Sequence, residues 1–153
     1  MQLAPNETNA GPARGDAPER SLVALFEAAQ AVRARAHAPY SNFRVGAALR
    51  DDRGRIHAGC NVENAAYPAG TCAEAGAIAA MVAAGGRAIR EILVLGDGEG
   101  LVTPCGACRQ RIREFAAGAT AIHVAGPEGL RRSFTLESLL PHSFGPETLG
   151  GDA

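Results

Sequence analysis

At 153 residues with 46% apolar content, the chain is long enough to bury one hydrophobic core and short for several domains. A formal charge of −1 and a pI near 6.4 give no field for a polyanion, so nucleic acid is not an expected partner. No long apolar run marks the N-terminus, so neither a leader nor a membrane span is expected.

Residues 1–20 are rich in Ala, Gly, Pro, Asn and charge without periodicity, which predicts a flexible extension and a domain spanning 21–150. Ser21 stands where a cap would, ahead of Leu22, Leu25, Phe26, Ala29 and Val32 at helical spacing, and that helix is expected to end before Pro39. Segments 45–50 and 55–61 flank Asp51-Asp52-Arg53-Gly54 and read as a hairpin. A helix from about Cys72, a strand 92–95, a helix 105–115, a strand 121–125 and a short helix 136–140 follow. That order predicts a mixed sheet covered by helices on both faces, with the helices from Cys72 and Cys105 each connecting neighbouring strands and running side by side.

Two short motifs carry the chemistry. In Pro104-Cys105-Gly106-Ala107-Cys108 the proline suits a first helical turn, and two cysteines three residues apart project from one face. Cys72 follows Pro68-Ala69-Gly70-Thr71 and also heads a helix, so two helix N-termini would meet, where unpaired N–H groups and the helix dipole stabilise thiolate. Cys72, Cys105 and Cys108 then offer a metal three ligands and leave a position open, as in catalytic rather than structural zinc. Glu74, two residues past the first ligand, is placed to handle the protons of a water there. Taken alone, Cys-x-x-Cys also fits a redox pair or half of a structural zinc site; in this order, about thirty residues apart, the motifs match the pattern of zinc base deaminases. With three thiols so committed and Cys60 in an apolar segment, a disulfide framework is not expected, and a reducing compartment, the cytoplasm, is.

From Ala38 to Gly150 the chain resembles the small homotetrameric zinc-dependent cytidine deaminases. The matching stretches are Pro39-Tyr-Ser-Asn-Phe-Arg-Val-Gly-Ala-Ala48, Gly59-Cys-Asn-Val-Glu-Asn-Ala-Ala-Tyr67, Cys72-Ala-Glu74, Pro104-Cys-Gly-Ala-Cys-Arg-Gln110 and Leu140-Pro-His-Ser-Phe-Gly-Pro146. The resemblance implies a three-layer α/β/α sandwich with a mixed five-stranded sheet. It implies hydrolytic deamination of cytidine and 2′-deoxycytidine to the uridine products and ammonia, as in pyrimidine salvage, with Zn2+ as cofactor. By the same resemblance Cys72, Cys105 and Cys108 hold zinc, Glu74 shuttles protons, and the backbone around Ala73 and Thr103 holds the base edge. Asn61 and Glu63 would bind the ribose hydroxyls and Phe43 would pack on the pyrimidine. Phe144 would reach a neighbouring subunit's site in a homotetramer with shared sites.

The residues themselves leave some of this open. Asn61 and Glu63 alternate at a strand end and share a face, which suits solvent as well as a pair of sugar hydroxyls. Phe43 and Phe144 lie among loop-forming residues, where an aromatic serves either a core or a ligand. His37, His57, His123 and His142 fit no ligand spacing; only His142, near Phe144, is placed close to a site. The family usually continues Cys-Ala-Glu with an arginine bonded to a zinc-held sulfur, and this chain has Ala75 there, with Arg109 as a candidate replacement. Two other readings use the same motifs: a deaminase of another nucleobase or nucleoside analogue, and a closed structural module with Cys60 as fourth thiolate.

Overall fold

The three-dimensional structure is a computed structural model and describes residues 17–150. Helix α1 (Ala17–Arg33) leads into a hairpin of β1 (Val45–Asp51) and β2 (Ile56–Cys60). A single 3-10 turn (Tyr67–Ala69) precedes α2 (Ala73–Ala83), then come β3 (Ile89–Gly96), α3 (Gly106–Arg113), β4 (Ala121–Gly126), β5 (Gly129–Thr135) and α4 (Leu136–Leu139). The sheet order is β2-β1-β3-β4-β5, with β3 and β4 parallel and the other pairs antiparallel. On one face Leu25 and Ala29 of α1 pack on Ala48, Leu93, Leu95 and Ala125. On the other, Ala77, Ile78 and Met81 of α2 and Ile112 of α3 pack on Ala47, Leu49, Ile92, Val94 and Ile122. The expected α/β/α sandwich with five mixed strands is the observed fold.

Three details differ from the sequence expectation. Helix α1 begins at Ala17, so Ser21 lies inside it and its hydroxyl donates to Glu91 Oε1 at 2.6 Å instead of capping. Residues 17–20 of the expected extension therefore belong to α1, and its remainder lies outside the described residues. Helix α2 does not join neighbours: it leaves the edge strand β2 and passes over β1 to reach β3, whereas α3 does join the adjacent β3 and β4. Strand β5 escaped the hydrophobic pattern because it is an edge strand with no fully buried residue.

The topology decides where the site forms. β2 and β3 both run antiparallel to β1 and hence in the same direction. Each is followed by a helix laid back over the same face, so α2 and α3 start at the same end of the sheet. Gly59 lets α2 settle onto β2, since a Cβ there would stand 2.6 Å from the Ala73 carbonyl oxygen.

The far end of α2 is anchored by a buried charge. Asp51, fully buried at the end of β1, accepts the backbone N–H groups of Arg53 and Arg55 at 2.9 and 2.8 Å. Arg55 Nε and His57 Nε2 lie 2.8 and 2.9 Å from its other oxygen, and Arg55 Nη1 reaches the Ala84 carbonyl just past α2. Burial pushes the Asp51 carboxyl up, but His57, the Arg55 N–H and guanidinium and the Arg53 N–H outweigh it and hold the group far below the usual carboxylate range. With the folded value depressed, its contribution to stability is complete above the unfolded value of 3.8 and is lost as pH falls below it. Asp51→Asn should therefore lower the urea midpoint at about pH 7 and lose less than the parent between roughly pH 5 and pH 3. Equal acid losses in the two proteins would take Asp51 out of the acid transition.

Candidate active site

Cys72 and Cys105 are the N-cap residues of α2 and α3, both in extended conformation and neither capping with its side chain. Their thiols are thereby left for another partner. Cys72 Sγ and Cys105 Sγ are 3.9 Å apart, and with Cys108 Sγ all three sulfurs lie within 4.8 Å of one another. The expected ligand set is thus brought to one point from residues 36 positions apart in the chain, graded from exposed Cys105 through half-buried Cys72 to buried Cys108. Cys60 is not part of this group, which removes the closed four-thiolate module.

Burial pushes the Cys72 thiol up and, together with the Glu74 and Cys72 charges, pushes Cys108 far up. Cys105 is also raised by burial, but the Cys108 backbone N–H and the thiols of Cys108 and Cys72 donate to it and bring it below its ordinary value. Three crowded sulfurs of which only one ionises readily form a donor set that a soft dication completes, and the residues fit zinc. Glu74 lies in the first turn of α2, 4% exposed, with burial raising its carboxyl and the Cys108 thiol and the Arg111 charge opposing that rise. A buried acid poised upward is a better proton acceptor than a solvated one.

An inner chamber of about 180 Å³ is lined by Cys72, Ala73, Glu74, Thr103 and Cys105, with Asn61 and the apolar walls Val45, Val94 and Val102. It meets an outer cleft of about 530 Å³ at Asn61 and Cys72, where Tyr40, Ser41, Glu63 and Tyr67 form the lining. Asn61 Oδ1 accepts the Val45 N–H and its Nδ2 donates to the Phe43 carbonyl, both at 2.8 Å. Glu63 accepts the Tyr40 and Ser41 N–H groups at 2.9 and 3.3 Å and the Ser41 hydroxyl. The Ser41 hydroxyl and Tyr40 N–H hold its carboxyl below the ordinary value. Both side chains therefore rest on the 40–45 turn. They lie just past the end of β2, on either side of Val62, which bridges His37 and Thr71, and both line the outer cleft.

The two aromatics stand apart: Phe43 (39% exposed) and Phe144 (57% exposed) line neither space. His142 lines a separate hollow with Arg113 and Ser143, away from the metal ligands. Arg109 makes no bond to the three sulfurs: its guanidinium donates to the Pro104 and Leu139 carbonyls at 2.8 and 2.7 Å and to the Thr103 hydroxyl at 3.1 Å. Among the described residues no cationic side chain bonds any of the three sulfurs. Reasoning from sequence assigned no role to Tyr40 and Tyr67, whose rings pack edge to face at 6.1 Å on the cleft, or to the three valines of the chamber.

Three cysteines gathered from two helix starts, with no fourth ligand side chain grouped with them among the described residues, and a buried carboxyl lining the same chamber have the make-up of a metal-dependent hydrolase site. Comparison with known proteins agrees. The family described as the cytidine and deoxycytidylate deaminase zinc-binding region matches residues 20–124. The cytidine deaminase of Sporosarcina psychrophila is 42% identical over 82% of this chain and 92% of its own. That of Mycobacterium tuberculosis is 42% identical over 74% of this chain and 82% of its own. The crystal structure of cytidine deaminase from Burkholderia pseudomallei superposes with a TM-score of 0.75 at 44% identity, covering 80% of this chain and 98% of that one. The chain belongs to the zinc-dependent cytidine deaminase family.

Metal analysis separates the ligands from the spare thiol. Cys105→Ser should lose most of the bound zinc, whereas Cys60→Ser should keep the full complement. X-ray absorption should give three sulfurs at about 2.3 Å and one lighter ligand. Four sulfurs, or zinc lost with Cys60, would restore the closed module.

Proposed function

We propose that this protein hydrolytically deaminates cytidine and 2′-deoxycytidine, releasing ammonia, as a salvage reaction. The observation that carries this reading is the buried Glu74 facing the Cys72/Cys105/Cys108 group in a chamber that opens onto Asn61 and Glu63. Cys72, Cys105 and Cys108 would hold zinc, which when bound would supply Lewis acidity to a water. Glu74 would accept a proton from it as the water oxygen adds to C4 of the ring and pass that proton to N3, then take the second proton from the new C4 hydroxyl and give it to the departing amine, leaving the C4 carbonyl. The valine walls suit the faces of a flat base, and the backbone at Ala73 and Thr103, which line the same chamber, would take its polar edge.

Support for a nucleoside comes from the cleft. Asn61 and Glu63 keep spare hydrogen-bonding capacity, and the turn that holds them fixes their orientation before a sugar arrives. No basic residue lines the outer cleft among those described, and Glu63 is ionised, so a 5′-phosphate finds no counter-charge. The three thiols also suit a reducing, cytoplasmic setting, and no described helix is long and apolar enough to cross a membrane. Phe144, exposed on its loop, is read as an aromatic supplied to a neighbouring subunit's pocket in a homotetramer, and Phe43 as a ring that closes on the base.

Glu74→Gln keeps the shape of the buried side chain but cannot carry a proton. It should retain zinc and fold while kcat falls at least about a hundredfold. Near-normal turnover in the zinc-loaded variant would remove Glu74 from the mechanism. Sharing of sites is tested by dissociating and reassembling Glu74→Gln with Phe144→Ala subunits. Some mixed sites then pair a native Glu74 with a native Phe144 from different chains, and activity should partly return. Mixed oligomers with no recovery would place Phe144 in its own chain's site or outside function.

A further inference from the structure

The loop carrying Phe144 is held by α3, the helix whose start supplies two of the three cysteines. Gln110 Nε2 donates to the Phe144 carbonyl at 3.0 Å. Arg113 Nε donates to the Ser143 hydroxyl at 2.9 Å, and its Nη2 pairs with the Glu147 carboxylate. Gly145 is buried against that pair, and a Cβ there would overlap both the Arg113 guanidinium and the Glu147 carboxylate. The backbone on both sides of Phe144 is therefore fixed, while the ring itself belongs to neither core cluster. A pinned backbone under an exposed ring is a poor arrangement for stability, since it orders the chain while leaving more than half of the ring uncovered. It is a good one for presenting the ring at a set place.

We propose that Gln110 and Arg113 are positioning residues for the Phe144 ring, so that α3 sets both a metal site and the aromatic offered to a substrate pocket. The proposal rests on the reading of Phe144 as a substrate-contacting group. Arg113 is 18% exposed and makes its bonds within the fold, whereas Glu147 is half exposed; the arginine is the fixed member and the loop is what it fixes. From Cys105 to Arg113 the helix spans about 12 Å, a rigid spacer between the two functions. Arg109 adds a bond from the same helix to Leu139 at the end of α4, which steadies the start of the same C-terminal segment.

The test is steady-state deamination of cytidine by zinc-loaded Phe144→Ala, Arg113→Ala, Arg113→Lys, Gln110→Ala and the double variant R113A/F144A, each with a thermal melt. Phe144→Ala should raise KM about tenfold. Arg113→Ala and Gln110→Ala should each raise KM about three- to tenfold with kcat held within about twofold, and Arg113→Lys should recover part of the loss. The double variant should be no worse than Phe144→Ala alone, because the clasp has no ring left to place. If the KM effects multiply, or if Gln110→Ala keeps the parent KM while Arg113→Ala loses kcat together with folded protein, the clasp is structural only and the proposal fails. Parent KM in Phe144→Ala would sink the Phe144 reading itself, and the proposal with it, so the Phe144→Ala arm tells the two failures apart.

Discussion

Three thiolates and a carboxylate must be held within a few ångströms, and this is the constraint on which the rest of the structure depends. Unit charges about 4 Å apart still interact by several kcal/mol at the effective dielectric of a protein site, so such a group needs compensation built into the scaffold. The fold supplies it by bringing two helix starts to one point. The placement of β1 makes that possible. Packed helices sit about 8–10 Å apart and neighbouring strands about 4.8 Å, so two strands with one strand between them are spaced like the two packed helices they feed. β1 is that strand, inserted between β2 and β3 and antiparallel to both.

Once the helices are side by side, their depth matters. Gly59 removes the side chain that would lift the first turn of α2, and the first turn is where Glu74 is buried. At the other end Asp51, through Arg55, holds the Ala84 carbonyl. Helix α2 is thus seated by close backbone contact at its start and by a buried ion cluster at its finish. Its own composition offers little amphipathic direction, since Ala and Gly occupy seven of its eleven positions. Tertiary fit places it, more than its apolar stripe does.

The metal ligands were legible because metal geometry acts locally: Cys105 and Cys108 must share a helix face, and Glu74 must follow Cys72 closely whatever the rest of the chain does. The apolar runs of β1, β3 and β4 announce themselves because both faces of those strands are covered. β5 is silent for the opposite reason, and the start of α1 is silent because Ala17-Pro18-Glu19-Arg20 carries no apolar period. The path of α2 over β1 is a long-range pairing choice that no local pattern encodes. Arg109 misleads through adjacency: one residue past Cys108 in sequence is about 100° around the helix, and its guanidinium leaves the metal for the Pro104 and Leu139 carbonyls. Asn61 and Glu63 hold the 40–45 turn as well as lining the cleft, a double use visible only when Phe43 and Val45 are seen beside them.

Ala75 then takes on a specific meaning. Zinc with three thiolates carries a formal charge of −1, and each helix N-terminus contributes roughly half a positive charge, so two of them offset about one unit without any cationic side chain. An arginine at position 75 would have carried the site past neutrality and made the bound water a stronger acid. Its absence transfers the demand to the base. In the mechanism proposed above Glu74 would meet that demand through burial, because the desolvation that raises its carboxyl would also strengthen it as a proton acceptor. The depth of α2 in the fold and the alanine at position 75 therefore bear on one proposed balance: a site that its helix starts bring only to neutrality would leave more of the proton transfer to the buried carboxylate.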